Sequence, residues 1–169
     1  MTPGTGEAST RWVRAGVGLE LALDLPAGPH TPGSELVARL RFRNAAADPI
    51  RVYLLPEPFR NGTCTIVLAG GPAVQPSSFP PPRPHGHLPS EQDFPLIEPG
   101  GVLETTQTIV VPNAIGSVGL HWTYENHVQS WPGGVQTVDG PTQALFGGGP
   151  IPHIWIGKAE VLTRFDVAQ

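Results

Sequence analysis

The pair of histidines in the proline-rich middle of the chain is the first feature that suggests chemistry. His85 and His87 flank Gly86, and in an extended chain residues i and i+2 point to the same side. With His127 or His153 as a third ligand, the pair could hold the ion of a metal-dependent enzyme. A structural metal site needs three or four ligands at fixed spacing, and no HExxH motif or cysteine partner accompanies the pair. We therefore predict exposed loop histidines, with no metal and no cofactor.

Other catalytic arrangements find equally little support in the sequence. Ser130, His127 and Asp139 are close in the chain, but nothing around them resembles a nucleophile elbow. A glycosidase needs two facing carboxylates, and the acidic residues of the loops are better interpreted as solvated charges. The glycine run 147–150 lacks the Lys and Ser/Thr of a phosphate-binding loop. We predict that the protein is not an enzyme.

Aromatic side chains accumulate in and beside the stretches that lack a strand pattern. Exposed aromatics often anchor proteins or sugars, and the alternative is that they pack the loops onto the core. We predict a binding surface made of loop residues. Together with the histidines, its candidate members are Phe79, His85, His87, Tyr124, His127, Trp131 and Phe146.

Alternating polarity indicates the elements that position these loops. Residues 18–25 place leucine at every second position, and residues 35–43 alternate apolar residues with Val37 and three arginines. A period of two is typical of strands with one buried face. The arginines are therefore predicted to line a solvated face rather than an anion site. The full set of predicted strands is 18–25, 35–43, 50–55, 63–69, 102–111, 117–125 and 154–167.

Two long links interrupt this series of about seven strands, at 70–101 and 126–153. If every strand reverses direction, both links emerge at the same end of a two-sheet sandwich. Links this long are usually functional or disordered. We predict a flexible tail over residues 1–16 and a single all-β domain over residues 17–169.

The composition narrows the class of protein. The chain of 169 residues carries 21 Gly and 21 Pro, which disfavour helices. The net charge is −4 and no basic run occurs, so nucleic-acid binding lacks its electrostatic driving force. Cys64 is the only cysteine, which excludes an intrachain disulfide. No secretory signal or membrane-spanning stretch is evident, so we expect a soluble, cytoplasmic protein. An exported mature form stays open.

Several turn and core patterns resemble bacterial immunoglobulin-like domains. They are the strand and turn of 21–26 and 32–36, the turn 94–101, the strand 116–126 and the segment 154–159. The chain departs from the family pattern at Val118, where the family has Tyr, and at Gly101, where it has Glu. The likeness extends to the accessory sandwich of deuterolysin-type metalloproteases and to the intracellular proteinase inhibitor of bacilli. It implies an immunoglobulin-like antiparallel β-sandwich from a bacterium. Protease activity is not implied, because no catalytic domain follows.

Three functions are compatible with these observations. The first is a non-catalytic protein-interaction or accessory module, inhibitor-like or an assembly subunit, that binds another protein through links 70–101 and 126–153. The second is a carbohydrate or small-ligand binding module that uses Phe79, Tyr124 and Trp131. The third is a metal-dependent enzyme that uses the loop histidines. Clustered loops and low charge favour the first.

Overall fold

The computed structural model of the protein describes residues 10–55, 62–68, 73–74, 91–131 and 149–169. These residues confirm the all-β prediction, because their regular structure is strand apart from one 3-10 turn at Glu91–Asp93. No helix in this part of the chain is long and apolar enough to cross a membrane. The strands are β1 Val13–Gly16, β2 Leu19–Asp24, β3 Pro29–His30, β4 Glu35–Asn44, β5 Ile50–Arg51, β6 Gly62–Leu68, β7 Ala73–Val74, β8 Leu96–Ile97, β9 Val102–Val110, β10 Gly116–Asn126 and β11 Gly157–Val167.

The strands form two main sheets and one small ribbon. The first sheet has the order β1-β2-β4-β9 and is antiparallel throughout. The second has the order β3-β11-β10-β6-β7 and is mixed, because β3 runs parallel to β11. The ribbon pairs β5 with β8. All but one of the pairings between named strands are therefore antiparallel, as the short turns in the sequence predict.

The inner faces of the two sheets pack against each other. On β4 the residues Leu36, Ala38, Leu40 and Phe42 are buried, as their alternation predicts. The ring of Phe42 meets β10 of the other sheet edge-on, with its centroid 5.9 Å from Trp122 and 5.2 Å from Tyr124. Burial of one such apolar side chain contributes about 1.5–3 kcal/mol, so these alternating faces supply most of the stabilising free energy.

The three arginines of β4 lie on the outer face of the first sheet, which confirms their predicted orientation. Each pairs with a carboxylate of a neighbouring strand: Arg39 with Glu104, Arg41 with Asp24, and Arg43 with Glu20. The pair of Arg39 is exposed and contributes little stability, about 0–1 kcal/mol, whereas the pairs of Arg41 and Arg43 are partly buried. They do neutralise the arginines, so this face offers no free cluster of positive charge.

The first strand begins inside the segment predicted as a tail. Residues 13–16 pair with β2, and Trp12 covers the guanidinium of Arg43 at 4.3 Å. The prediction of a flexible tail over residues 1–16 is therefore wrong for residues 13–16. Strand pairing between distant residues and a cation–π contact fix this segment, and neither leaves a clear local pattern in four residues.

One end of the sandwich, here called the loop pole, is where β4 and β10 end and where β9 and β11 begin. The register places Arg43 beside Val102 and Asn126 beside Gly157. The indole Nε1 of Trp155 donates to the carbonyl of Gly16 at 3.1 Å and so joins the two sheets at this pole. Both ends of link 126–153 therefore lie here, as predicted.

Link 70–101 does not follow the predicted parity. Leu68, the last residue of β6, pairs with Val118 near the start of β10, so the link leaves from the opposite pole and returns to the loop pole at Gly101. The predicted third strand explains the error. Only residues 50–51 of the predicted 50–55 are strand, so this segment does not cross the sandwich and stays at the loop pole. The next strand, β6, therefore runs in the direction opposite to the predicted one.

Candidate functional site

Four predicted site residues, Phe79, His85, His87 and Phe146, lie outside the described residues. Tyr124, His127 and Trp131 lie within them, and each has a different environment. In the described part of the chain, no group of three or more His, Cys, Asp or Glu side chains is arranged to hold a metal ion. Of these three, Tyr124 is buried, whereas His127 and Trp131 lie at the surface of the second long link.

Tyr124 belongs to the core and not to the predicted loop surface. Its side chain is fully buried. Its hydroxyl donates to the carbonyl of Tyr53 at 2.8 Å and accepts from the amide of Tyr53 at 3.1 Å. Burial raises the pKa of the Tyr124 hydroxyl above its ordinary value. This residue ties the second sheet to segment 50–55 and offers nothing to a ligand in solution.

His127 is the first residue after β10 and is largely exposed. Its imidazole Nε2 contacts the carboxylate of Glu125, also partly exposed, two residues before it. Such a surface pair is a weak interaction. His127 is therefore accessible, but its observed partner is an acidic side chain of its own strand.

Trp131 ends a short neck that closes the second long link at its base. Its amide donates to the carbonyl of Gly149 at 2.8 Å, and the amide of Ile151 donates to the carbonyl of Gln129 at 3.0 Å. Ser130 and Pro150 form the bridge between them. The neck thus satisfies backbone groups with one another and fixes where residues 132–148 leave and rejoin the sandwich.

The end of the first long link contributes Phe94, which follows the 3-10 turn Glu91–Asp93. Phe94 is fully buried. Its ring stacks on Tyr53 with centroids 4.8 Å apart and meets the ring of Trp131 edge-on at 5.3 Å. Both geometries are favourable for aromatic pairs. The two long links therefore touch at this point.

Arg51 lies at the centre of this contact. Its Nη1 donates to the carbonyl of Phe94 at 2.7 Å, and its Cζ lies 5.7 Å from the centre of the Trp131 ring. Its backbone amide donates to His153, and its carbonyl accepts from Trp155. One residue thus joins three segments, around 51, 94 and 153. We call Arg51, Tyr53, Phe94 and Trp131 the Arg51 cluster.

Two buried asparagines hold the irregular backbone beneath the cluster. Asn44 donates through Nδ2 to the carbonyls of Asp48 and Ile97, and its Oδ1 accepts from the amide of Ala46. Asn126 donates to the carbonyl of Trp155, and its Oδ1 accepts from Val128. Each amide satisfies backbone groups that no strand pairs, which buried backbone requires.

Exposed apolar side chains surround the same pole. The described chain has eight large hydrophobic residues that are exposed, and four of them lie in or beside turns of the loop pole. They are Val17, Leu96, Val102 and Ile156. Single exposed apolar residues are common, but several at one end of a protein are typical of an interaction surface.

The sequence analysis missed Arg51 and the asparagines as parts of the site. Arg51 follows Ile50 and precedes Val52, so the local pattern gives only a strand residue that faces away from the core. Asn44 and Asn126 each directly follow a predicted strand, which is the available signal. Their partners lie far away in the chain, at Ile97 and Trp155, and cannot be found from spacing.

Comparison with known proteins gives no match. No protein-family model matches the chain, no curated protein is similar to it, and no solved structure matches it. The chemistry of the pole therefore has to be judged on its own residues, which include aromatic rings, exposed apolar side chains and the guanidinium of Arg51. Groups of these types are suited to binding.

Proposed function

We propose that the protein is a non-catalytic protein-interaction module that binds a partner protein through its loop pole. The single observation that carries this proposal is the contact between Trp131 and Phe94, whose rings lie 5.3 Å apart. It unites the ends of the two long links into one surface. Loops held by a rigid scaffold are the usual location of binding residues.

The residue types at the pole support a protein partner. Protein interfaces are enriched in Trp, Tyr, Phe and Arg, and their hot spots are enriched in Trp, Tyr and Arg. Arg51, Tyr53 and Trp131 of the Arg51 cluster are partly exposed and belong to these types, with the buried Phe94 beneath them as packing. Exposed apolar side chains such as Leu96 and Ile156 lie at the same pole. Low overall charge also favours contact, because fewer charged groups lose water on binding.

The anchoring of the pole supports the same proposal. The neck at Trp131 and the buried amides of Asn44 and Asn126 order the backbone before any partner arrives. A surface that is already ordered loses less conformational entropy on binding. The pole can thus bind without first folding its base.

The finer class is proposed as immunoglobulin-like. This assignment is supported by the two packed sheets, the pattern at 94–101 and the strand 116–126. The role expected from it is that of an inhibitor-like protein or an assembly subunit. Binding to a soluble bacterial partner in the cytoplasm fits the composition. Carbohydrate binding is less well supported, because Tyr124, one of its three proposed aromatics, is buried.

The test compares two matched leucine variants. Leu96→Asp changes the loop pole, and Leu162→Asp makes the same change on the outer face of the second sheet, where Leu162 is also exposed. Partners are captured from the organism that encodes the chain, identified by mass spectrometry and purified for measurement of Kd. We expect Leu96→Asp to raise the Kd about tenfold or more, as loss of a central interface contact does.

Leu162→Asp is expected to change the Kd by less than about twofold, since peripheral surface changes are near neutral. Circular dichroism and thermal unfolding confirm that both variants fold. If both variants bind the partner with the same Kd as the unaltered protein, the loop pole is not the binding surface.

A further inference from the structure

Arg51 differs from the other partly buried arginines of the described chain in having no carboxylate partner. On the outer face of the first sheet, Arg41 lies 2.8 Å from Asp24, and Arg43 lies 2.5 Å from Glu20. Among the described residues, no acidic side chain forms an ion pair with Arg51. Its observed partners are the carbonyl of Phe94 and the ring of Trp131.

With respect to the described residues, the guanidinium of Arg51 is therefore a permanent charge with incomplete compensation. It stays protonated in proteins and carries five N–H donors. One of these donors, on Nη1, reaches the Phe94 carbonyl, whereas Nε is buried and has no hydrogen-bond acceptor in the described part of the chain. A charge that is partly removed from water is costly unless an opposite charge accompanies it. The π face of Trp131 supplies only part of that compensation.

The cluster also fixes the orientation of the side chain. The hydrogen bond to Phe94 and the indole of Trp131 constrain the guanidinium, while the backbone of Arg51 is bound to His153 and Trp155. A guanidinium that is already oriented loses little freedom when it pairs with a planar anion. Carboxylates fit this geometry and form charge-assisted hydrogen bonds with it.

We propose that Arg51 receives a carboxylate of the partner protein, from an aspartate or glutamate side chain, beside the ring of Trp131. The proposal rests on the proposed function, because the partner binds at the same pole. The bound carboxylate supplies the negative charge that the described residues do not, and the indole beside it excludes water from the pair. Arg51 thereby selects partners with an acidic residue at the centre of their contact surface.

The test uses the full chain with sodium acetate as the probe. The side-chain Nε–H signal of Arg51 and the indole signal of Trp131 are followed by NMR and assigned with Arg51→Lys and Trp131→Phe. We expect saturable shifts with acetate and none with chloride at the same ionic strength. Arg51→Met should weaken acetate binding about tenfold or more, because a charge-assisted hydrogen bond is lost. The exposed Arg164→Met is the matched control and should bind like the unaltered protein.

Two peptides then distinguish the source of the carboxylate. A glutamate-containing peptide with both termini capped should reproduce the acetate shifts. Recognition only of a peptide whose C-terminal carboxylate is free would overturn the assignment to a side chain. If Arg51→Met does not fold, the titration of the unaltered protein still decides, because the absence of a saturable acetate shift overturns the proposal.

The purified partner separates this proposal from the proposed function. A partner that binds Arg51→Met with unchanged Kd overturns the carboxylate contact and leaves the loop pole as the interface. A different result would be acetate binding at Arg51 together with a partner whose Kd is unchanged by Leu96→Asp. That result rejects the proposed interface, and with it the assignment of the carboxylate to a partner.

Discussion

At the loop pole, two buried side chains supplement the hydrogen bonds between backbone groups, whereas the described turns of the opposite pole use backbone hydrogen bonds and exposed side chains. Gly33 donates to Val111, and Val111 donates to Ser34, around the start of β4. At the loop pole, the amides of Asn44 and Asn126 reach four backbone carbonyls and two backbone N–H groups. Irregular backbone that is buried needs such side chains, because no neighbouring strand is available to pair with it.

This difference has a consequence for mutation. A turn that depends on backbone pairing tolerates many side chains, whereas a turn that depends on one buried amide tolerates few. The loop pole should therefore be the more sensitive end to substitution. Three pairs of measurements can break or sharpen this comparison.

The largest effect is expected at Asn44. Asn44→Ala removes three hydrogen bonds and leaves the buried carbonyl of Ile97 without this donor. We expect the free energy of unfolding to fall by about 3 kcal/mol. Asn113→Ala, at an exposed position of the opposite pole, is the control and should change it by less than about 0.5 kcal/mol. Urea denaturation measures both, and equal effects would remove the distinction between the poles.

A smaller effect is expected from two glycines with similar backbone angles. Gly18 and Gly33 have φ of +82° and +77°. A Cβ at Gly18 would lie 2.5 Å from the Cβ of Ala46, whereas nothing lies within 4 Å of a Cβ at Gly33. Both alanine variants incur about 1 kcal/mol for a left-handed backbone. Gly18→Ala should lose about a further 1 kcal/mol through overpacking.

Thermal unfolding of the two glycine variants gives the comparison directly. A melting temperature that falls equally in both would show that the loop pole accommodates an extra methyl group as easily as the opposite pole. The contact between Gly18 and Ala46 would then be looser than its geometry indicates.

The smallest effect concerns Tyr124. Tyr124→Phe removes the hydroxyl that both donates to and accepts from Tyr53, and we expect a loss of about 1–2 kcal/mol at neutral pH. In the folded protein the pKa of Tyr124 is raised, so its contribution is fully present below the ordinary value of 10.0 and is lost as pH rises through the raised value. The free energy of unfolding should therefore fall above pH 10.0.

Tyr124→Phe should show a weaker fall above that pH. Tyr53 retains part of the dependence, because burial and then the charge of Asp93 raise its pKa as well. Denaturation midpoints measured on both sides of the tyrosine pKa compare the two proteins. Identical alkaline profiles would show that Tyr124 does not carry this dependence.

The fold was predictable wherever one face of a strand is buried along its length. The alternation of β4 and the leucines of β2 indicate both the strand and its inner face, because burial acts on every second residue. Segment 50–55 has equally apolar residues, yet its pairing stops at Arg51. Its later hydrogen bonds go to Pro95, Asp93 and Tyr124, and contacts so distant in the chain leave no local period.

The site was predictable only in part. Trp131 was found as an aromatic residue in an irregular stretch, and it does lie where the two links meet. Tyr124 had the same local appearance but is buried, because every second residue of β10 faces inward as far as Asn126. Arg51 has an ordinary place in a strand, and its importance follows from carbonyl and aromatic partners that lie more than forty residues away.

The neck at Gln129–Trp131 and Gly149–Ile151 gives the molecule one further property. Because these residues are hydrogen-bonded to each other and Ile151 is buried, the span between them begins and ends at fixed points outside the core. Closing a loop has an entropic cost that grows with its length, and the hydrogen bonds of the neck offset part of that cost at the base of the span. The neck thus closes the second long link independently of the pairing of the strands.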